Sequence, residues 1–204
     1  MSEVTTAIYH RHERLLRDLH EQSAKFFAET SEQNADRLLI LLRDDLLRDA
    51  EGEERELYPL IDRIAKTVGG RATATMSIDH EYFGEYVDWI AATLHALHSA
   101  TGTHRDVLLG QVRRYLVQLE AILNLHLEKE ERLFLPLIER GVSLPNQRRM
   151  LAAMRGNPGV LNHVQPGNGK PILGKPARAN VPQAKLVRKK DLPRQAGGKA
   201  RKPN

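Results

Sequence analysis

One phrase occurs twice in this chain, and it constrains the fold more than any other feature. Glu53-Glu-Arg-Glu-Leu-Tyr-Pro59-Leu-Ile-Asp62 returns 77 residues later as Glu130-Glu-Arg-Leu-Phe-Leu-Pro136-Leu-Ile-Glu139, with six of ten positions identical. A repeat of this kind implies two related halves. Carried four residues upstream, the alignment sets Asp49 opposite His126, so each half presents a ligand-capable pair at i and i+4: Asp49 with Glu53, and His126 with Glu130. On an α-helix that spacing puts both side chains on one face, about 6 Å apart along the axis. A charged pair turned into an apolar face is costly unless something compensates it, and a metal ion is the usual compensator.

The rest of the sequence agrees with a helical frame. Its 204 residues suffice for one ordinary domain and a tail, and aromatics are scarce at 5%. Leu and Ala are common in long helix-period segments, so the expected class is all-α. There is no cysteine, which excludes disulfides, thiolate zinc sites and iron–sulfur clusters. Any metal must be held by His, carboxylate, Tyr or water. The start of the chain lacks the basic and apolar regions of a signal peptide. The longest apolar cluster, Leu38–Leu42, falls far short of the roughly 18 residues that span a bilayer. The expectation is a cytoplasmic protein.

Periodicity predicts four long helices. The first covers about 5–30, with Ile8, His12, Leu15, Leu16, Leu19, Phe26 and Phe27 inward and Arg11, Arg14, Arg17 and Asp18 outward. Ser31 caps a second, whose inward stripe Leu38, Leu39, Leu42, Leu46, Asp49, Glu53, Leu57 carries both carboxylates. Pro59 should kink or loosen it, and Gly69-Gly70 should stop it. The third covers about 72–100, with Met76, His80, Phe83, Val87, Ile90, Ala91 and Leu94 inward. The fourth, capped by Thr103, carries Leu108, Val112, Tyr115, Leu116, Leu119, Ile122, Leu123, His126, Glu130 and Leu133 to a stop at Gly141. Short connections between such helices predict an antiparallel up-down four-helix bundle over 1–142, with a short capping helix at 143–155.

From Gly156 onward the composition changes. Seven of the ten prolines and seven of the fourteen glycines lie there, with eleven Lys and Arg against Asp191 alone, a net of +10. The total charge of +5 therefore leaves the body at −5. Residues 156–204 are expected to be a disordered basic tail. Lys185 to Lys190 and Arg201-Lys202 could contact nucleic acid or another polyanion, but no aromatic interleaves the charges, so a solvated tail reads slightly better.

Each half thus offers a His on one helix and a pair on the next: His12 with Asp49 and Glu53, then His80 with His126 and Glu130. Four helices converging on His and carboxylate groups are how bundles build di-iron or di-manganese centres. A carboxylate can bridge two ions, which points to Glu53 and Glu130. Residues 8 to about 140 resemble the hemerythrin-like, His-His-Glu cation-binding domains. The resemblance rests on His12-Glu-Arg-Leu-Leu, Glu53-Glu54 to Leu57-Tyr58-Pro59, Asp79-His80, and His126-x-x-x-Glu130-Glu131 to Pro136. It implies a non-heme di-iron centre, oxo- or hydroxo-bridged, that binds dioxygen or reacts with peroxide or nitric oxide in detoxification or sensing; a catalase-like activity is among the expectations. Carried over by residue, one iron takes His80 and His126, the other takes His12, and Glu53 and Glu130 bridge.

Two positions depart from that pattern. Asp49 stands where the family's second helix supplies His, and Gly84 stands where the oxygen carriers place a further His one turn after His80. A harder, more anionic site with an open position argues against reversible oxygen carriage. Two other readings stay open: an adaptor whose metal site has decayed and whose tail does the binding, and iron storage or transfer. Among neighbouring residues, Glu54 and Glu131 read as outer-face partners of Arg55 and Arg132. Tyr9 reads as core packing or a hydrogen-bond donor to a ligand. His10, His20, His95, His98 and His104 read as polar residues away from the site.

Overall fold

A computed structural model describes residues 1–65 and 71–156. The expected break at Gly69-Gly70 and the tail beyond Gly156 fall outside those residues. The described chain is all-helical, as the sequence implied, and contains five helices. Helix α1 is Glu3–Ala28, α2 runs over residues 32–65, α3 is Ala74–Leu97, α4 runs over residues 102–141, and α5 is Leu144–Met154. None is long and apolar enough to cross a membrane.

Local chemistry sets the ends. Ser2 caps α1, its hydroxyl accepting from the Thr5 amide at 3.2 Å, so the helix begins two residues before the expected start. Ser31 caps α2 in the same way through the Asn34 amide. The fourth helix starts earlier than Thr103: Thr101 is the cap position and Gly102, at φ +54°, takes a left-handed turn that a side chain would resist.

Two prolines shape the centres of α2 and α4. A proline has no N–H and its ring crowds the carbonyl four residues back. Immediately before each one the helix widens into a π turn, Glu53–Leu57 ahead of Pro59 and Glu130–Phe134 ahead of Pro136. The Tyr58 and Leu135 amides then bond five residues back, to the carbonyls of Glu53 and Glu130. Pro59 therefore loosens α2 without ending it, and the helix continues to Ala65. The wider turn also shifts the inward face by one position. Leu133, expected inside, is 57% exposed, and Phe134 and Leu135 are buried in its place. A further π stretch, Leu41–Leu47, lies earlier in α2 with no proline behind it.

Helices α3 and α4 pack along their length, α1 packs on α2 and α4, and α5 lies across α1 and the middle of α2. The apolar interior has two parts. The larger contains Leu15, Leu19, Phe26, Leu42, Ile90 and Leu119, and the smaller contains Ile8, Leu57, Met76, Phe134, Ile138 and Met154. Each fully buried Leu, Ile, Phe or Met contributes on the order of 1.5–3 kcal/mol. In sequence, every long helix passes from one part to the other through a polar residue: His12 on α1, Glu53 on α2, His80 on α3, and His126 with Glu130 on α4.

Candidate metal centre

That polar layer is dehydrated. His12, His126, Glu53 and Glu130 are at most 3% exposed, and the His80 side chain is 8% exposed. Two groups of ligand-capable atoms converge in it, each within 4.8 Å: Glu53, His80 and His126, and His12, Glu53 and Glu130. Glu53 belongs to both. Its Oε2 lies 3.2 Å from His80 Nε2 and 3.6 Å from His126 Nε2, and those two nitrogens are 3.2 Å apart. On the other side His12 Nε2 is 3.4 Å from Glu130 Oε2, while Glu130 Oε1 is 4.0 Å from His126 Nε2. The structure thus brings together five of the six residues singled out from sequence.

Each of the three imidazoles is oriented from behind by a carboxylate. Glu131 Oε1 is 2.9 Å from His12 Nδ1, Glu54 Oε1 is 3.2 Å from His80 Nδ1, and Asp79 Oδ2 is 3.2 Å from His126 Nδ1. Lys129 pairs with Asp79 in turn. With Nδ1 turned to a carboxylate, each ring presents Nε2 to the centre of the layer, the nitrogen that would bind a cation once deprotonated. Glu54 and Glu131 are therefore not surface partners of their neighbouring arginines. Arg55 pairs with Glu56 and Arg132 with Glu128. The Tyr9 hydroxyl donates to the Glu131 carbonyl at 3.1 Å, which steadies the carboxylate behind His12.

A sixth group was not singled out from sequence. The Tyr58 hydroxyl lies 3.1 Å from His80 Nε2, 3.4 Å from His126 Nε2 and 3.4 Å from Glu53 Oε2, with its ring stacked on His80. In an uninterrupted α-helix a residue five places after Glu53 would point elsewhere. In the π turn it returns to the same face. The available signal was the proline following a doubled glutamate in both repeats.

Electrostatics mark the layer as a place for positive charge. Burial disfavours the Glu53 carboxylate, but hydrogen bonds from His126 and His80 outweigh it and hold the group at about 2. Burial likewise works against a proton on His126, yet Asp79 and Glu53 raise it to about 9. On Glu130, burial and the Glu53 charge push the carboxyl well above its ordinary range. His12 is lowered by burial despite Glu53 and Glu131. Tyr58 is pushed far up by burial and by Glu130 and Glu53.

Asp49 is placed differently. It is buried, and its Oδ1 lies 2.7 Å from Nη2 of Arg11, which the sequence turned outward. It belongs to neither ligand group. Gly84 lies on α3 one turn after His80, and a Cβ there would meet no atom within 4 Å. The five other histidines among the described residues lie outside both ligand groups. His95 and His98 line a cavity of about 560 Å³ with Phe26 and Leu39, formed by the far ends of the same helices.

The fit to a metal can be judged from the donors themselves. His12 Nε2 and both Glu130 carboxylate oxygens are buried with no hydrogen-bond partner among the described residues. Each such orphan costs about 1–3 kcal/mol, so three of them at one point are a standing cost that a cation removes. Three imidazoles, two carboxylates and a phenol suit iron or manganese. A family model described as the hemerythrin HHE cation-binding domain matches residues 3–138. No curated protein and no solved structure matches the chain.

Proposed function

Since the chain belongs to the hemerythrin HHE cation-binding family, we propose that it is a four-helix bundle over residues 1–142, capped by 143–155, that holds two non-heme iron ions and reacts with a small ligand. Manganese is the alternative metal. His80 and His126 would hold one ion and His12 the other, with Glu53 and Glu130 as carboxylates available to both. The observation that carries this reading is the set of orphaned donors, His12 Nε2 and Glu130 Oε1 and Oε2, turned toward the Glu53, His80 and His126 group.

When bound, the ions supply a redox couple and open positions for dioxygen, peroxide or nitric oxide. The protein's own residues do the rest. Glu131, Glu54 and Asp79 keep each imidazole aligned. Tyr58 places a hydroxyl against both His80 and His126. The two apolar clusters keep bulk water out, which strengthens every charge interaction inside. Peroxide removal or ligand sensing is the use proposed for that combination, and the three aligned imidazoles speak against a decayed site.

Iron content and the visible spectrum test the reading. The iron-loaded chain should hold about two ions and show ligand-to-iron absorption that bleaches on reduction. His126→Ala should abolish both. Full metal stoichiometry in His126→Ala, or a wild-type chain that holds none, overturns it.

A further inference from the structure

Helices α3 and α4 share an outer face that gathers most of the exposed large apolar side chains. Ten such side chains stand exposed among the described residues, and six of them lie here: Ile78, Tyr82 and Trp89 on α3, and Val107, Val117 and Leu125 on α4. Each is 40–60% exposed, so no other described helix covers them. At 100° per residue the three on α3 fall within about 40° of one another, and Val107, Arg114 and Leu125 fall within about 20° on α4. The seam between the helices is aromatic. Tyr115 of α4 lies 5.6 Å from Trp89 and 6.4 Å from Tyr86 between ring centres, and Trp89 meets Tyr86 edge-on at 5.1 Å. The Arg114 guanidinium stands over Tyr115. Single apolar residues on a surface are ordinary, but a contiguous set with Tyr, Trp and Arg at its middle has the composition of an interface core.

We infer that a second copy of this chain docks on that face, with the twofold axis running along the α3–α4 seam. Size allows it. The α4 stripe from Val107 to Leu125 is about 27 Å long and two helices side by side are about 20 Å wide. That is on the order of 500 Å² before the charged edges are counted, and a stable dimer buries about 800 Å² per partner. Charge selects a second copy as the occupant. Glu85 stands beside the apolar stripe of α3, with Glu81 and Asp88 beyond it, whereas the stripe of α4 carries Arg114. Exposed acids elsewhere are paired, as Glu21 is with Lys25 and Glu128 with Arg132, but Glu85 and Arg114 enter no ion pair among the described residues. An axis along the seam sets α3 of each copy against α4 of the other, so Glu85 faces Arg114 twice over while Tyr82 and Trp89 close on Leu125 and Val117. An axis across the seam would set α3 on α3 and acid on acid.

Sedimentation velocity and tryptophan emission of the full chain test this. Trp89 is the only tryptophan, so its emission reports on this face alone. The wild type is expected to sediment as a dimer, and its emission to shift to the red on dilution as Trp89 returns to water. Leu125→Glu is expected to weaken the dimer by about tenfold or more with helical content unchanged. Ile40→Glu, at an exposed apolar position on α2, should leave the dimer intact. Arg114→Glu should weaken it as well, and Glu85→Arg added to Arg114→Glu should restore it. Where Leu125→Glu fails to fold, Arg114→Glu carries the test. A wild type that stays monomeric at its highest soluble concentration overturns the proposal, as does a dimer that both variants leave as tight as wild type. A double variant that recovers nothing overturns the axis along the seam.

Discussion

On the dinuclear reading, Glu131 and Glu54 illustrate how much of a metal site rests on residues that would not touch the metal. Each accepts from the back of an imidazole, and each is only partly buried. Carboxylates in this position fix ring orientation and raise ligand basicity. Glu131→Gln should therefore lower metal affinity by about 10–100-fold while leaving the helical content intact, as read by competition with a chelator and by circular dichroism. Equal affinities in Glu131→Gln and wild type would remove the carboxylate from this role. These two residues were misread from sequence because a helical wheel compares each residue only with its own helix. Glu131 meets His12 across 119 residues and Glu54 meets His80 across 26. The ligand-capable positions themselves were legible because the repeat aligned them. The Arg11–Asp49 contact was not, since nothing in a one-dimensional pattern says that an arginine beside a ligand will bend inward.

At the scale of elements, the periodic stripes and the serine caps made the helices readable, and the two π turns are where that reading slipped. A constant 100° per residue carries Leu133 inward and Tyr58 outward; one widened turn reverses both. Helix α5 depends on a different local feature. Gly52 sits where α2 meets the end of α5, and a Cβ there would stand 2.7 Å from the backbone oxygen of Met154. Backbone cannot rotate away as a flexible side chain could. Gly52→Ala is thus expected to destabilise the chain by about 1–3 kcal/mol despite alanine's better helix propensity. A denaturant midpoint at or above that of wild type would show that α5 yields freely. Glycine is a poor helix former, and only the crossing of two helices reveals Gly52 as a close contact.

For the whole molecule, the buried charges give stability a direction in pH. In the metal-free chain, His126 has its pKa raised from 6.5 to about 9, so its contribution is complete below 6.5 and is lost as pH rises through about 9. Glu53, lowered from 4.5 to about 2, contributes above 4.5 and loses that contribution as pH falls through about 2. Asp49 and Glu130 are both raised, by burial and by Glu53, so each loses stability as pH climbs out of the ordinary carboxylate range. Urea unfolding of the metal-free chain should therefore give a higher midpoint at pH 6 than at pH 9. Iron binding, which displaces those protons, should strengthen over the same interval. A metal-free midpoint that rises from pH 6 to pH 9 would refute the charge assignment.

The layer that divides the apolar interior has one more consequence. Beside the paired Glu53, His80 and His126, the seam between the two clusters holds His12 Nε2 and both Glu130 oxygens without a hydrogen-bond partner among the described residues, a cost that a bound cation would remove. On the dinuclear reading, metal loading should therefore slow proteolysis of the chain, and a half-life that metal leaves unchanged would count against it.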